Sequence, residues 1–424
     1  MRGLPRAVPR RPALLLAAVV CGGCSTRAAD LGRAPARYLF VWAGPHGADG
    51  TTDGVSRTPG AEDFLAALDA DAASPTYGRV LATRAVGTVG AMAHHTELTM
   101  PIGRPVFASD YVTGQIFLLD VGDPLAPRVA ARVDHVPGYR RPHSFARLPN
   151  GHVLSTMQYG DRSLPGDPGG LAEFDAGGHL LRTRSAADAR FAGARIRPNG
   201  IEVLPAIDRA VTTSMPMDDE RTADVVQVWR LSDLRLLHTL ALPVPAGDTV
   251  VHMPYDSRAL PDGHSVMVNT YYCELYRLSG VDAEEPRLEP VHLARPLRGE
   301  GCAVTAVVGH FLIVPAATAH EVVSLDVADA SHPVAAAVLR ADSSFFPHWI
   351  AVDPGSDRIV VNSSELGEPR VLLAHLDRGT GALSWDVSFR DSGAVRPGVS
   401  LDHAAWRHGG RAPIAHAAVF GPGR

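Results

Sequence analysis

The sequence predicts an all-β protein, a seven-bladed β-propeller in which pairing of the N- and C-terminal strands closes the ring. One observation is a strand-and-turn unit that recurs about every 50 residues, a length that accommodates four short strands. The other is the spread of 41 Gly and 34 Pro along 424 residues, with few long stretches of helical periodicity. Such a four-stranded sheet is stable only when neighbouring sheets cover its faces, so the repeats are expected to stack into a ring.

Each recurring unit contains a strand that ends in a turn bearing Asp or Ser. Seven such turns follow one another, at Asp69, Asp120, Asp175, Ser232, Ser279, Asp326 and Asp377. In three units a Pro-Asn-Gly, Pro-Asp-Gly or Pro-Gly turn joins two short apolar runs, over residues 146–157, 258–270 and 351–363. Gly accepts positive φ, so these segments are predicted to be hairpins, and we interpret them as the two innermost strands of three blades.

The two ends of the chain supply the strands that close the ring. YLFVWAG (38–44) precedes the first full unit, and APIAHAAVF (412–420) follows the last. Pairing between them would remove an open sheet edge. A single propeller domain is therefore predicted over residues 37–424, after a linker over 25–36.

Residues 1–24 are predicted to be a signal peptide, outside the fold. Four arginines within the first eleven residues precede the apolar run ALLLAAVV (13–20), which is too short to span a bilayer. The small residues before Cys24 resemble a lipobox, in which the cysteine is lipidated after cleavage, and plain secretion is the alternative. The protein is expected to be exported, either free in the periplasm or held at the membrane by a lipid anchor on Cys24.

Charge and composition favour small-molecule partners. The formal net charge is −5, and no basic block occurs in the mature part of the chain. A nucleic-acid-binding surface is therefore not expected.

Two cysteines follow Cys24, namely Cys273 and Cys302. An even number in an oxidising compartment is typical of a disulfide. Two alternatives stay open: Cys302 lies at the start of an innermost strand and could offer a thiolate to copper, or both cysteines are buried and inert.

Histidine occupies five of the seven positions at which the innermost strand of a unit begins. These positions are His94-His95, His143, Asn199, His252, the Glu300–Cys302 stretch, His348 and His403. In a propeller the innermost strands line one axial channel, so residues at equivalent positions converge on one centre. Neutral imidazole binds Cu, Zn, Fe and Ni, so we predict a central metal site.

Two carboxylates lie beside these histidines in the sequence. Glu97 follows the His94-His95 pair, and Asp402 precedes His403. A carboxylate that accepts the second N–H of a ligating imidazole orients that ring, and we expect this role for both. The alternative is that each is a surface charge.

Several motifs resemble, in order, the selenium-binding protein family, whose bacterial members include methanethiol oxidases. They are DFLAALDADAASPTYGRV (63–80) followed by the histidine pair, IFLLDVGDPLAPRV (116–129), GHVLSTMQYGD (151–161), VHMP (251–254) and LDH (401–403). The resemblance covers about residues 60–410. It implies a seven-bladed propeller, in agreement with the repeat count.

The resemblance also implies chemistry. Members with oxidase activity are copper enzymes that convert methanethiol, oxygen and water into formaldehyde, hydrogen sulfide and hydrogen peroxide. The histidines of the family motifs fall on His94, His95, His143, His252 and His403, whereas His348 is supported by the spacing alone. The family's cysteine-rich stretch after the histidine pair is absent, since TELTMPIGRP stands at 96–105. Selenium binding through such a cysteine is therefore not expected.

The predicted function is that of an exported, copper-dependent oxidase acting on a small thiol and O2, with His348 or His94 accepting the thiol proton. Three alternatives remain. The segment 197–201, with Asn199, resembles a strand start of propeller lactonases, which use a divalent cation such as calcium. A four-histidine site could also hold iron, as in propeller oxygenases, or zinc. The third is a non-enzymatic propeller that binds selenium or a metal or serves as a scaffold.

Overall fold

The computed structural model describes residues 34–45, 61–161, 167–191, 195–217, 223–245, 247, 250–364, 367–401 and 413–421. These residues form 29 strands and two short 3-10 turns, Ala189–Phe191 and Pro205–Ile207. The strands belong to seven antiparallel sheets, and the described residues contain no α-helix. The predicted all-β, seven-bladed propeller is confirmed. The predicted signal peptide with Cys24, most of the linker, and the pair Asp402 and His403 lie outside the described residues.

The strands follow one another along the chain in blade order. The first three are β1 (Tyr38–Pro45), β2 (Glu62–Asp69) and β3 (Val80–Val89). Blade 1 contains β4 (Ala93–Thr96), β5 (Val106–Asp110), β6 (Ile116–Asp120) and β7 (Arg128–Val133). Blade 2 contains β8 (Tyr139–Arg147), β9 (Val153–Gly160), β10 (Gly170–Phe174) and β11 (Leu180–Ser185). Blade 3 contains β12 (Pro198–Leu204), β13 (Arg209–Ser214), β14 (Val225–Arg230) and β15 (Arg235–Ala241).

The remaining blades repeat this order. Blade 4 contains β16 (Pro254–Ala259), β17 (Val266–Thr270), β18 (Leu275–Ser279) and β19 (Arg287–Val291). Blade 5 contains β20 (Ala306–Val308), β21 (Phe311–Ala316), β22 (Glu321–Asp326) and β23 (Val334–Arg340). Blade 6 contains β24 (Pro347–Val352), β25 (Arg358–Ser363), β26 (Arg370–Leu376) and β27 (Leu383–Trp385), with β28 (Val399–Ser400) added beside β26. Blade 7 is built from β29 (Pro413–Phe420), β1, β2 and β3.

The three hairpins predicted from turn residues join the two innermost strands of blades 2, 4 and 6. They connect β8 to β9, β16 to β17 and β24 to β25. Gly151 and Gly263 adopt φ values of 88° and 72°, the left-handed region that glycine tolerates best. These two turns therefore form where the Pro-Asn-Gly and Pro-Asp-Gly signals predicted them.

The core lies between the blades. Every residue of β5 and of β9 is buried, whereas β11 has no buried residue and β7 alternates between exposed and half-buried positions. Successive side chains of a strand point to opposite faces of its sheet. An inner strand that is buried throughout therefore packs against the preceding blade on one face and the following blade on the other.

The ring is closed by the C-terminal strand. β29 pairs antiparallel with β1, so the predicted pairing of the two ends is confirmed. β29 is the innermost strand of blade 7, and it contacts both β24 of blade 6 and β4 of blade 1. The indole N–H of Trp349 on β24 donates to the carbonyl oxygen of Ala418 on β29 at 2.8 Å. Blade 7 thus contains both ends of the propeller, and its C-terminal strand faces the channel.

Removing residues 413–424 should abolish cooperative folding. The deletion leaves one edge of β1 unpaired and exposes the surfaces that β29 covers. Ile414, Val419 and Phe420 are each at most 6% exposed, and their burial is worth roughly 5–9 kcal/mol, which approaches the whole stability of many domains. We expect no cooperative thermal transition by circular dichroism, whereas removal of residues 422–424 alone should preserve it. A longer deletion that melts like the parent would contradict this role of β29.

Candidate metal centre

Histidine side chains from four blades meet in the central channel. The members of this histidine cluster are His94 and His95 on β4, His143 on β8, His348 on β24 and His416 on β29. The ring centroid of His94 lies 4.5 Å from those of His95 and His143 and 4.1 Å from that of His416. The centroids of His348 and His416 are 4.9 Å apart. All five residues are buried, with 8% exposure or less.

Two groups of three histidines have nitrogen atoms close enough to share a metal ion. In each group, one ring nitrogen from every residue lies within 4.8 Å of the others. The first group is His94, His95 and His143, and the second is His95, His348 and His416. His95 is the member that the two groups have in common.

Irregular strand pairing turns these side chains toward the channel. The register of β4 with β5 shifts between Ala93 and Thr96, and that of β8 with β9 shifts between Pro142 and Phe145. Similar shifts occur at the positions of His348 and His416. A bulge interrupts the alternation of side chains between the two faces and redirects the residue it contains. This explains how the adjacent residues His94 and His95 both join one cluster.

One hydroxyl group lies between two of the imidazoles. The Oγ of Ser144 is 3.0 Å from Nδ1 of His95 and 3.0 Å from Nδ1 of His143. Nδ1 of His143 is also 3.2 Å from the backbone carbonyl oxygen of Asn199. Because a carbonyl oxygen can only accept, Nδ1 of His143 carries the proton in this contact. Its Nε2 then presents a lone pair, the form in which imidazole binds a metal.

Several ring nitrogens of the cluster are buried without a hydrogen-bond partner. Within the described part of the chain, these include both nitrogens of His94 and Nε2 of His95 and His143. A buried polar atom without a partner costs about 1–3 kcal/mol. Buried lone pairs that converge in the channel would be satisfied by a metal ion, so the donor set fits such an ion.

Burial also keeps the imidazoles neutral. Desolvation, with a smaller contribution from the neighbouring histidines, holds the pKa values of His94 and His95 well below 6.5. Desolvation lowers the pKa of His143 to about 3, although its contact with Asn199 acts in the opposite direction. Only the unprotonated ring can donate a lone pair to a metal. These residues are therefore ready ligands at neutral pH.

Aromatic and charged residues surround the cluster. The indole of Trp349 lies 5.0 Å from the ring of His95, and the ring of Tyr111 lies 5.0 Å from that of His94. A small cavity on one side of His95 is lined by Ser144, Phe145, Trp349 and the Asp256–Arg258 ion pair, among others. The buried centre thus borders a small cavity whose lining is mixed, with apolar side chains beside the imidazole of His95, the Ser144 hydroxyl and this ion pair.

His252 lies in neither group, although it was expected to be a ligand. It precedes β16 in blade 4, whereas the cluster comes from the consecutive blades 6, 7, 1 and 2. Its Nδ1 is 2.7 Å from Oε2 of Glu274, and its backbone N–H donates to Asp224. Blade 4 stands opposite that arc of the ring, which explains why the shared spacing does not bring His252 into the cluster.

Glu97 is buried but binds an arginine. Its carboxylate oxygens lie 2.6 and 2.7 Å from Nε and Nη2 of Arg147, and the backbone N–H of Phe107 donates to Oε2 at 2.9 Å. The guanidinium group takes the place of the imidazole that the sequence analysis expected. Ser144, which the sequence analysis did not single out, contacts the imidazoles instead.

The two cysteines do not face the metal centre as thiolates. Cys273 and Cys302 are joined by a disulfide. The side chain of Asn199 is also occupied, because its Nδ2 donates to the carbonyl oxygen of Tyr255 and its Oδ1 accepts from Gln158. Neither Cys302 nor Asn199 is therefore available as a ligand in this structure.

His416 is the member of the cluster that the sequence analysis missed. The spacing of the strand starts and the family motif both pointed to His403, which lies outside the described residues. A signal was nevertheless present, since APIAHAAVF was correctly predicted as the closing strand. A histidine in the middle of a strand that closes the ring from inside is expected to reach the channel.

The fold and the site define a seven-bladed propeller with an enclosed, all-histidine site that can hold a metal ion. No family model matches the sequence. A methanethiol oxidase from Hyphomicrobium sp. is 30% identical over 148 residues, a match that spans 34% of this chain and 31% of that relative. A hypothetical selenium-binding protein from Sulfolobus tokodaii has a similar structure, with a TM-score of 0.69, 14% identity, and coverage of 91% of this chain and 93% of that one.

The periplasmic gluconolactonase of Pseudomonas aeruginosa shares the fold at a TM-score of 0.56 and 14% identity, over 82% of this chain and 94% of that one. At such identities the structural similarity shows the fold alone. Taken with the distant sequence match to methanethiol oxidase, the findings fit the selenium-binding protein family and confirm the resemblance seen in the sequence motifs.

Replacing Ser144 with alanine should weaken metal binding. The substitution removes the hydroxyl group that lies 3.0 Å from Nδ1 of both His95 and His143, so both rings lose an orienting contact. We expect copper affinity to fall about 10- to 100-fold, the usual effect of removing such a contact. Ser257→Ala is the matched control, because the buried Ser257 Oγ has no partner among the described residues. Equal affinities for the two variants, measured by competitive titration, would refute this role.

Replacing His143 with glutamine should reduce the acid sensitivity of the metal-free protein. Because its pKa is about 3 in the folded state and near 6.5 when unfolded, only the unfolded chain gains this proton as the pH falls below about 6.5. His143 should thereby destabilise the folded state by roughly 2 kcal/mol between pH 7 and pH 5. Urea unfolding at the two pH values should show that the free energy of unfolding falls less between pH 7 and pH 5 in His143→Gln than in the parent. His332→Gln, at a side chain 82% exposed, should behave like the parent.

Proposed function

We propose that the protein is an exported, copper-dependent oxidase of a small thiol such as methanethiol. The observation that carries the proposal is the buried cluster of five imidazoles on the innermost strands. The distant sequence match to a methanethiol oxidase supports the substrate class and the use of O2. The match covers about a third of either chain, so the activity of the whole protein is inferred here from the match and the site together.

The donor set supports a transition metal. The two groups contain imidazole nitrogen only, which suits copper, zinc and iron and is unlike the oxygen-rich sites that calcium prefers. Copper is the ion implied by the family resemblance. Bound there, it would supply one-electron chemistry and a site for a thiolate sulfur.

The chain itself would hold the substrate and exclude water. The cavity beside His95 has space for about one water-sized molecule, and Phe145 and Trp349 form part of its wall. The small size of the cavity favours a small thiol over a larger substrate.

We assign acceptance of the thiol proton to His348 rather than to His94. His94 has both nitrogens buried among other imidazoles, and its lowered pKa makes it a poor proton carrier at neutral pH. That environment suits a ligand. His348 belongs only to the second group, so it can accept the proton when the ion is held by the first group of His94, His95 and His143.

Export is supported by the disulfide. A bond between Cys273 and Cys302 is typical of proteins that fold in an oxidising compartment. It agrees with a signal peptide over residues 1–24 and with either lipidation of Cys24 or release into the periplasm. Membrane association would then depend on the lipid alone.

A lactonase is the less favoured alternative. Asn199, on which that comparison depends, has both ends of its amide engaged by Tyr255 and Gln158. A cation bound through oxygen atoms would have to displace these contacts. The propeller shared with a gluconolactonase does not outweigh this, because it concerns the fold.

Copper loading of the purified protein, followed by elemental analysis and a methanethiol assay, tests the proposal. The parent should hold about one equivalent of copper and release formaldehyde, hydrogen sulfide and hydrogen peroxide in equal amounts. His95→Ala should lose at least about 100-fold in activity because His95 belongs to both groups. His252→Ala is the matched control and should retain its copper. A parent that holds less than about a tenth of an equivalent after loading would refute the proposal.

A further inference from the structure

The wall of the channel in blade 5 differs from that of the other blades. The innermost strand β20 has only three residues, and the segment before it, residues 301–305, is buried along its whole length. We call this segment the strap. Val304 of the strap lines the same cavity as His95 and Trp349. The connection that leads to it, residues 292–300, consists of exposed and half-exposed positions.

One side of the strap is attached to blade 4. The backbone N–H groups of Gly301 and Cys302 donate to the carbonyl oxygen of Tyr271 at 2.8 and 3.2 Å. The amide of Asn269 donates to the carbonyl oxygens of Cys302 and Ala303 at 2.6 and 3.0 Å. The disulfide adds the one covalent attachment, from Cys302 to Cys273 in the turn between β17 and β18.

The other side of the strap holds the backbone at His348. The N–H of Val304 donates to the carbonyl oxygen of His348 at 3.0 Å, and the N–H of Ile350 donates to the carbonyl oxygen of Val304 at 3.2 Å. Val304 and Trp349 thereby form a parallel bridge. The ladder between β24 and β25 is interrupted between Pro347 and Trp349, so the strap bonds to the chain where the regular pairing fails.

We propose that the Cys273–Cys302 disulfide is a positioning element for His348 and, when the ion is held by the second group of His95, His348 and His416 rather than by the first, for that metal site. The inference rests on the proposed function for the identity of the ion. Non-covalent contacts also hold the strap, including those of Glu300 with Thr318 and of Thr305 with Asp256. The covalent link to blade 4 adds to them, and the strap holds the bulge from which His348 projects into the cluster. Reduction of the disulfide would loosen this ligand while leaving His94 and His143, on blades 1 and 2, in place.

The first experiment needs no metal. Amide hydrogen exchange of the metal-free protein is compared before and after replacement of both cysteines by alanine. Segments 301–308 and 347–352 should exchange about tenfold faster or more in the variant, while β8 and β9 remain as protected as in the parent. If the double variant does not fold, reduction of the native protein by dithiothreitol replaces it. The dithiol transfers two electrons and two protons to the S–S bond and leaves as a cyclic disulfide.

The second experiment is a double-mutant cycle on copper(I) affinity, measured against a chromophoric competitor. Replacing both cysteines by alanine should weaken copper(I) binding about tenfold in the parent. In a His348→Ala background the same replacement should cause no further loss of copper(I) affinity. Val228→Ala, a buried substitution in blade 3, controls for loss of stability alone and should leave the affinity unchanged.

The outcomes separate this inference from the proposed function. Unchanged exchange in both segments, or an equal loss of affinity with and without His348, overturns the role of the disulfide. A parent that binds no copper overturns the proposed function, while the exchange result still decides whether the disulfide holds the backbone at His348.

Discussion

Five imidazole rings lie within a few ångströms of one another at the buried centre of the ring, where protonation of any one of them is unfavourable. A single protonated ring there would lose its hydration and repel its neighbours, and the lowered pKa values of His94, His95 and His143 express that cost. Neutral rings pack like other aromatic side chains, as the stacked pair His94 and His95 does with an interplanar angle of 4°. The same condition that makes the cluster tolerable in the fold leaves its ring nitrogens able to bind a metal ion.

The cluster also depends on local departures from regular strands. A regular innermost strand would send His94 and His95 to opposite faces, so the bulge in β4 is what lets both reach the channel. A bulge leaves ladder groups unpaired, and side-chain hydroxyl groups replace some of the lost bonds. The backbone N–H of His95 donates to Oγ of Ser109, and that of Ser144 donates to Oγ1 of Thr156. The polar residues near the site therefore complete the backbone pairing as well as orient the rings.

The ring is not symmetric around its axis. Blades 6, 7, 1 and 2 contribute the histidines, while blade 3 contributes Asn199 and blade 4 contributes Tyr255 to the surrounding hydrogen bonds and packing. Blade 5 contributes the strap through Val304. The histidines thus lie on one arc of the channel, whereas residues of both arcs line the cavity beside His95.

The sequence by itself determined the number of blades, the hairpins with positive-φ glycines and the closure of the ring, because these follow from local turn chemistry and a repeat of about 50 residues. It also singled out His94, His95, His143 and His348, since spacing identifies the starts of innermost strands.

Tertiary structure decided which histidines meet. His252 shares the spacing but lies in the blade opposite the cluster, whereas His416 joins through a closing strand outside the spacing pattern. It also decided that Glu97 pairs with Arg147 and that Ser144 contacts the imidazoles. Such choices depend on bulges and on packing between distant blades, and neither has a signature in the order of residues along one strand.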